Sequence, residues 1–336
     1  LAALLDDEQQ MNYLGRGVRV TTRNDRLFTK GLVAKGQIDI NGNNIATDSF
    51  DSSDPAHSTY GRYDSTKRKS NGDVATNLSL TNSLSVGNAR IYGRVSTGPR
   101  GTVAIGPNGS VGDLNWQSSG ARGIQAGRST DDMNVDFPDV EMPFVGGAYS
   151  PTGAVVNGTW YDYVLGNGNY QLGDLNASDK KILVRGEATL LVTGNFKLTG
   201  NSSLIVAPYG CLNLYVTGAQ TVLAGNGVIN MTGNATNFFY HGLPGNTSVS
   251  LSGNGTFTGL IYAPNADFTL NGGGSSDEDF IGASVTKSAK MNGHYKFHYD
   301  EALSKYGPFR GFVITSWNEM TPQEVANSSI SLEGRF

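Results

Sequence analysis

One short phrase recurs along the chain and restricts its fold more than any other feature: an apolar residue followed at once by a corner of Gly and, usually, Asn. It stands as Ile40-Asn41-Gly42-Asn43 and returns as "SVGN" (85–88), "VTGN" (192–195), "LTGN" (198–201), "LAGN" (223–226), "MTGN" (231–234), "LSGN" (251–254), "LNGG" (270–273) and "MNGH" (291–294). Gly and Asn occupy the left-handed backbone region at least cost, so each copy marks a sharp turn. The glycines of four late copies, Gly233, Gly253, Gly272 and Gly293, lie 20, 19 and 21 residues apart. A second alignment agrees: "FTGLIYAPNADFTLNG" (257–272) and "FIGASVTKSAKMNG" (280–293) share a Phe-x-Gly opening and an Asn-Gly close, and differ by two residues between them.

Between the corners, apolar residues alternate. Leu190/Val192, Phe196/Leu198, Leu212/Leu214/Val216, Val249/Leu251, Phe268/Leu270 and Tyr295/Phe297/Tyr299 each fall two apart, which puts each set on one face of a short strand. A period near 20 built from strands and corners predicts an all-β chain, a right-handed parallel β-helix whose successive turns bury one another's apolar faces. The rival is a meander of hairpins, which also uses Asn-Gly turns but needs a second sheet from distant sequence.

Composition supports this class. With 45 Gly and only 16% charged residues in 336, the chain is poor material for helices. A net charge of −4 supplies no overall basic field for nucleic acid. A single cysteine, Cys211, excludes a disulfide framework within the chain and reads as a small buried side chain. No apolar run approaches the ~20 residues of a membrane helix. The opening "LAALL" reads either as the end of an apolar anchor helix or as a short amphipathic helix with Leu1, Leu4, Leu5 and Met11 facing a core.

The expected organisation is a helix and linking strand over 1–30, a β-helix over 31–299 with polar surface excursions at 44–76 and 118–180, and a helix and strand tail over 300–336. In the tail, Asp300 caps a short helix 301–306 ended by Gly307 and Pro308, and strands follow around Val313 and Ile330.

Five passages carry a resemblance: "VRVTTRNDRLFTKGLVAKGQIDINGNN", "TDSFDSSDP", "VGNARIYGRVSTGP", the pair "FTGLIYAPNADFTLNGGG" and "DFIGASVTKSAKMNGHYKFHYDEAL", and "FVITSWNEM". They resemble bacterial PilX-like pilus-assembly proteins. That resemblance implies an extracytoplasmic β-solenoid domain at the bacterial cell surface, often behind an N-terminal prepilin-like membrane helix, with no catalytic residues assigned; no cofactor is expected. Any membrane anchoring would come through a preceding segment.

Asp277, Glu278 and Asp279 in "SSDEDF" are a weak Ca²⁺ candidate, and Asp131 with Asp132 and Asp51 with Asp54 read as solvated loops. His294 and His298 lie four apart in strand-like sequence, without the helical geometry of a zinc pair. Trp116, Trp160, Tyr161 and Tyr163 offer sugar-stacking rings or end caps. The ends of a β-helix expose strand edges, so self-association is expected through those ends and through the terminal residues Leu1, Leu4, Leu5, Ile330, Leu332 and Phe336. The leading function is a structural subunit of an extracellular filament or surface layer. Its partner is itself, with other pilus or envelope components as further candidates and nucleic acid excluded. The alternative is an adhesin whose lateral loops 44–76 and 118–180 bind a ligand, and a carbohydrate-active enzyme is the remote third.

Overall fold

The computed structural model describes residues 17–42, 44–253, 256–272, 278–306, 311–321 and 323–324. The chain is nearly all β and divides into two units, Phe28–Gly307 and a smaller one made of the two chain ends. In the smaller unit, Gly17–Asp25 pairs antiparallel with Gly311–Met320, with a bulge between Thr21 and Thr22. These strands come from the first and last of the five passages above. The proposed N-terminal helix and the strand at Ile330 lie outside the described residues.

The larger unit is built from three parallel ladders. The first stacks Gly168–Leu172, Glu187–Val192, Cys211–Val216 and Phe238–Gly242, and then the middle parts of the long strands Phe257–Gly272 and Phe280–Gly293. It continues through Leu32–Ala34, Val74–Thr76, Val95–Ser96 and Ser129–Thr130. The second runs from Leu175–Ala177 to the ends of the same long strands, then through Ile38–Ile40 and Leu84–Gly87 to Val103–Ile105. The third has two stretches. One joins Thr159–Leu165, Lys181–Val184, Ser203–Val206 and Val228–Asn230. The other joins the openings of the long strands to Lys296–Asp300, Ala46–Phe50, Arg90–Tyr92, Ser110–Gly112 and Gly123–Ile124.

Stacking order is therefore not chain order. The block 149–300 comes first, and the block 28–130 is laid onto its last turn, with Leu32 opposite Ser284, Ile38 opposite Ala289 and Thr47 opposite Phe297. Phe28 and Tyr299 meet there, where the Tyr299 hydroxyl donates to Phe28 O at 2.8 Å. The chain between the blocks returns along the stack as an extended segment, held where the Tyr262 hydroxyl donates to Pro138 O and Asn265 Nδ2 to Asp139 Oδ1, each at 2.6 Å.

Inward side chains of all three ladders form one apolar cluster. Parallel register places like on like, so Phe257, Phe280 and Phe297 stack with centroids 4.8 and 4.3 Å apart. The alignment of the two late passages is the register itself: Phe257 faces Phe280, Asn271 faces Asn292 and Gly272 faces Gly293, and the two-residue difference is taken up between Ala263 and Asp267. Beside this corner the two asparagines are joined, with Asn292 Nδ2 donating to Asn271 Oδ1 at 2.8 Å.

The corner glycines form a column at the end of the second ladder. Gly293 holds φ +88°, and a Cβ there would be driven into Gly272 O. Next in the column, Gly42 crowds Gly293 O in the same way although its chain comes from the other block. Gly233 is not in this column and lies beside Arg62, so the count of 20 residues from Gly233 to Gly253 joined two different corners. The neighbour of Gly253 is Gly225, and the turns are correspondingly less even than the sequence predicts.

Both excursions are shorter than expected. Ala46–Phe50 and Val74–Thr76 belong to ladders, leaving 51–73 as the outlying loop. From Thr159 onward, residues of the 118–180 segment already form the first turns of the stack, and 131–148 is the part that crosses it. Ala46–Phe50 is hidden in the sequence because its partner Lys296–Asp300 lies about 250 positions away. The helix 301–306 is a 3₁₀ turn, Glu301–Lys305, capped by Asp300, whose Oδ1 accepts from Ala302 N at 3.1 Å.

Candidate functional site

Two regions outside the core combine exposure with chemistry. The first is the pair of stack ends. At one end Leu175–Ala177 pairs only with Phe196–Leu198, and at the other Val103–Ile105 pairs only with Leu84–Gly87, among the described residues. Half-buried apolar side chains continue the core outward at both: Tyr163, Tyr170 and Leu172 at one, Val103, Ile105 and Ile124 at the other. The first end also exposes large apolar side chains. No charged residue occurs between Glu141 and Asp162, and Tyr149, Val155 and Trp160 are 68%, 64% and 57% exposed. Thr152–Val156 closes the third ladder there as an antiparallel strand on Thr159–Leu165, with no further strand on its outer side among the described residues.

The second region lies on the outward face of the third ladder, under the loop 51–73. Parallel pairing sets His298 beside Asp48. The loop folds over them: Tyr63 stacks on His298 at 3.7 Å and packs against Phe50 and Ile281. Asp48 and His298 are each 2% exposed. A buried carboxylate needs partners. Asp48 Oδ1 takes His298 Nδ1 at 2.5 Å, and its Oδ2 accepts from the Tyr63 hydroxyl at 2.9 Å and faces Arg68 at 3.7 Å. Burial, with the Asp48 charge adding to it, pushes the Tyr63 phenol far above its usual range, so it remains a donor. Arg68 in turn stands over the Tyr92 ring at 4.6 Å. A separate network clamps the loop's return: Glu301 accepts from Ser49 at 2.7 Å, Asn71 at 2.8 Å and Lys69 at 2.5 Å.

Beside this cluster opens a cleft of about 700 Å³, lined by Asn44, Asp48, Tyr63, Arg68, Asn88, Arg90, Asn108, Arg122, Lys296 and His298 among others. A second hollow of about 340 Å³ shares Arg68, Arg90, Tyr92 and Arg122 with it. Both lateral loops named from sequence contribute, 44–76 through Asn44, Tyr63 and Arg68 and 118–180 through Arg122. The basic residues were not singled out in the sequence. They lie as far apart as Arg68 and Lys296, and only the joining of the two blocks brings them together.

Residues 149–306 match the model of a family described as Domain of unknown function (DUF7305). No curated protein and no solved structure matches the chain. The matched stretch is the first block. It begins at Tyr149, whose N donates to Asn169 O at 2.9 Å across the first end, and finishes at Tyr306 beside the junction.

The remaining candidates take structural positions. Asp279 is buried and accepts from Lys296 N at 2.8 Å, whereas Glu278 is exposed and Asp277 lies outside the described residues. Among the described residues no group of three or more His, Cys, Asp or Glu side chains is placed to hold a metal ion. Asp51 and Asp54 cap turns by accepting from Ser53 N and Ala56 N, and Asp131 accepts from Arg100 N. His294 is exposed while His298 is buried on Asp48, so the two do not converge. Cys211 is half-buried rather than enclosed, and burial together with Glu187 raises its thiol pKa. Trp160, Tyr161 and Tyr163 lie on the end strand Thr159–Leu165, and Trp116 sits in the short helix Leu114–Ser118. The six terminal residues named for self-association, Leu1, Leu4, Leu5, Ile330, Leu332 and Phe336, lie outside the described residues.

Proposed function

We propose that the larger unit is a right-handed parallel β-helix and that the protein is a structural subunit of a bacterial surface assembly, adding head to tail through the two ends of that helix. The observation that carries this reading is the pair of open ends, each with a one-sided strand and half-buried apolar side chains. In the second ladder every strand runs the same way, so the free edge of Leu175–Ala177 at one end complements the free edge of Val103–Ile105 at the other. Such a heterologous contact does not close on itself and generates filaments. The uncharged surface from Met142 to Tyr161 lacks the charges that usually keep strand edges apart. The resemblance to PilX-like proteins supports the extracytoplasmic setting.

The test uses two variants, each blocked at one end. Leu172→Lys places a charge at the Tyr170 end, and Ile105→Lys at the other. The wild type is expected to form concentration-dependent oligomers in sedimentation velocity and rods in negative stain. Each variant alone is expected to stay monomeric, and their mixture to stop at dimers. Wild-type protein that remains monomeric at high concentration contradicts the proposal, and so does a single variant that still dimerises through its intact end. Circular dichroism and thermal melts establish that both variants fold.

A further inference from the structure

We infer that the cleft beside Asp48 is a binding site for an acidic polysaccharide, a glycan strand carrying carboxylate or sulfate groups. This is independent of self-association, because the cleft lies on the flank of the stack and not at its ends.

Charge is the first argument. Arg68, Arg90, Arg122 and Lys296 line the cleft against one carboxylate, Asp48, in a chain whose net charge is −4. Asp48 is already engaged by His298, Tyr63 and Arg68. Arg90 and Arg122 are exposed and have no carboxylate within ion-pair distance among the described residues. The Arg122 guanidinium is steadied instead by Gly120 O and Ala121 O, at 3.1 and 3.0 Å. Arg90 and Arg122, brought to one cleft without carboxylate partners among the described residues, repel one another, and an anionic ligand relieves that repulsion.

Preorganisation is the second. Arg68 is held between the buried Asp48 and the Tyr92 ring, so one guanidinium is fixed before any ligand arrives. The third is size and polarity. About 700 Å³, with a second hollow that shares Arg68, Arg90 and Arg122, is far more than one inorganic anion fills, and four cationic side chains line it. The same lining holds the neutral amides of Asn44, Asn88 and Asn108, suited to sugar hydroxyls. Asn88 Oδ1 already accepts from Asn108 N at 3.1 Å, so its Nδ2 is the donor left for a ligand. Repeated anions joined by hydroxyl-bearing units describe an acidic glycan.

The test titrates the full chain with a galacturonate oligomer in a calorimeter, beside a neutral malto-oligosaccharide and inorganic polyphosphate. Saturable binding of the uronate is expected, weakening as salt rises, with no binding of the neutral sugar and only weak binding of polyphosphate. Arg90→Glu together with Arg122→Glu, both exposed side chains, is expected to lower the affinity at least tenfold while the melting temperature holds. Failure of the uronate and of a sulfated glycan to bind overturns the inference. So does binding that survives the double substitution, and polyphosphate binding as tight as the uronate marks a site for anions in general and overturns it too.

Discussion

The two blocks of the larger unit share ladders, corners and strand direction, yet they are stabilised differently. The block 149–300 fills its interior with Phe, Leu and Val in long register, culminating in the Phe257, Phe280 and Phe297 stack. The block 28–130 has strands of two to five residues, and its third ladder continues that stack with Thr47, whose hydroxyl donates to Gly72 O at 2.8 Å. Outside that ladder it adds the polar cluster around Asp48 and the Glu301 clamp. The contrast teaches that the first block is a core that stacks on itself, whereas the second is fastened to it and builds the polar cluster and cleft together with His298 and Lys296 of the first.

The largest expected effect falls on the shared core. Phe280→Ala removes the middle ring of the stack and is expected to cost about 3–5 kcal/mol in urea unfolding. Ile91→Ala, buried in the same ladder of the second block, is expected to cost about 2–5 kcal/mol. If the blocks are one cooperative stack, both substitutions shift a single transition; two separated transitions would break the comparison.

Backbone effects come next. Gly293→Ala, at φ +88° and against Gly272 O, is expected to cost about 3 kcal/mol or more. At Gly227, where φ is +56° and no atom lies within 4 Å of an added Cβ, the same change is expected to cost about 1 kcal/mol. Equal losses at the two sites would show that the glycine column is not under steric constraint.

Acid should weaken the first block through His241, which is stacked on Tyr215 at 4.1 Å and on Phe239 at 3.8 Å. Burial lowers its pKa from 6.5 to about 3. Between those values the unfolded chain binds a proton that the folded chain refuses, so stability falls as pH drops below 6.5, by at most ~1.4 kcal/mol per pH unit. The difference between wild type and His241→Phe, followed from pH 7 to pH 4, should show this slope, and a flat difference would remove the role.

The smallest effect is a gain at the junction. Ser284 faces Leu32 across the blocks, and its buried Oγ lacks a hydrogen-bond partner among the described residues. Ser284→Ala should raise stability by about 1 kcal/mol in the same urea assay. A loss would mean that the hydroxyl is satisfied in solution.

Local pattern carried much of the fold. Alternation at Leu190/Val192 and Leu212/Leu214/Val216 marked the buried faces, and the match of 257–272 with 280–293 was the true register. What local pattern could not carry was stacking order. Nothing near Leu32 or Ile38 announces that their partners are Ser284 and Ala289, because parallel pairing between blocks leaves no turn to mark it. The same blindness hid the cleft. Asp48 and His298 meet across 250 positions, and His298 invited comparison with its sequence neighbour His294 instead. Polar outer faces made Ala46–Phe50 read as loop, although Thr47, Asp48 and Ser49 are all buried by the elements folded over them.

The laying of the second block onto the last turn of the first is tested most directly by a cross-strand disulfide. Asp39 and Lys290 face each other in the second ladder with outward side chains. In the double variant Asp39→Cys and Lys290→Cys, with Cys211→Ser to remove the native thiol, mild oxidation is expected to give an intramolecular bond in nearly every monomer. A chain that stays reduced, or that forms only bonds between molecules, would contradict the shared stack.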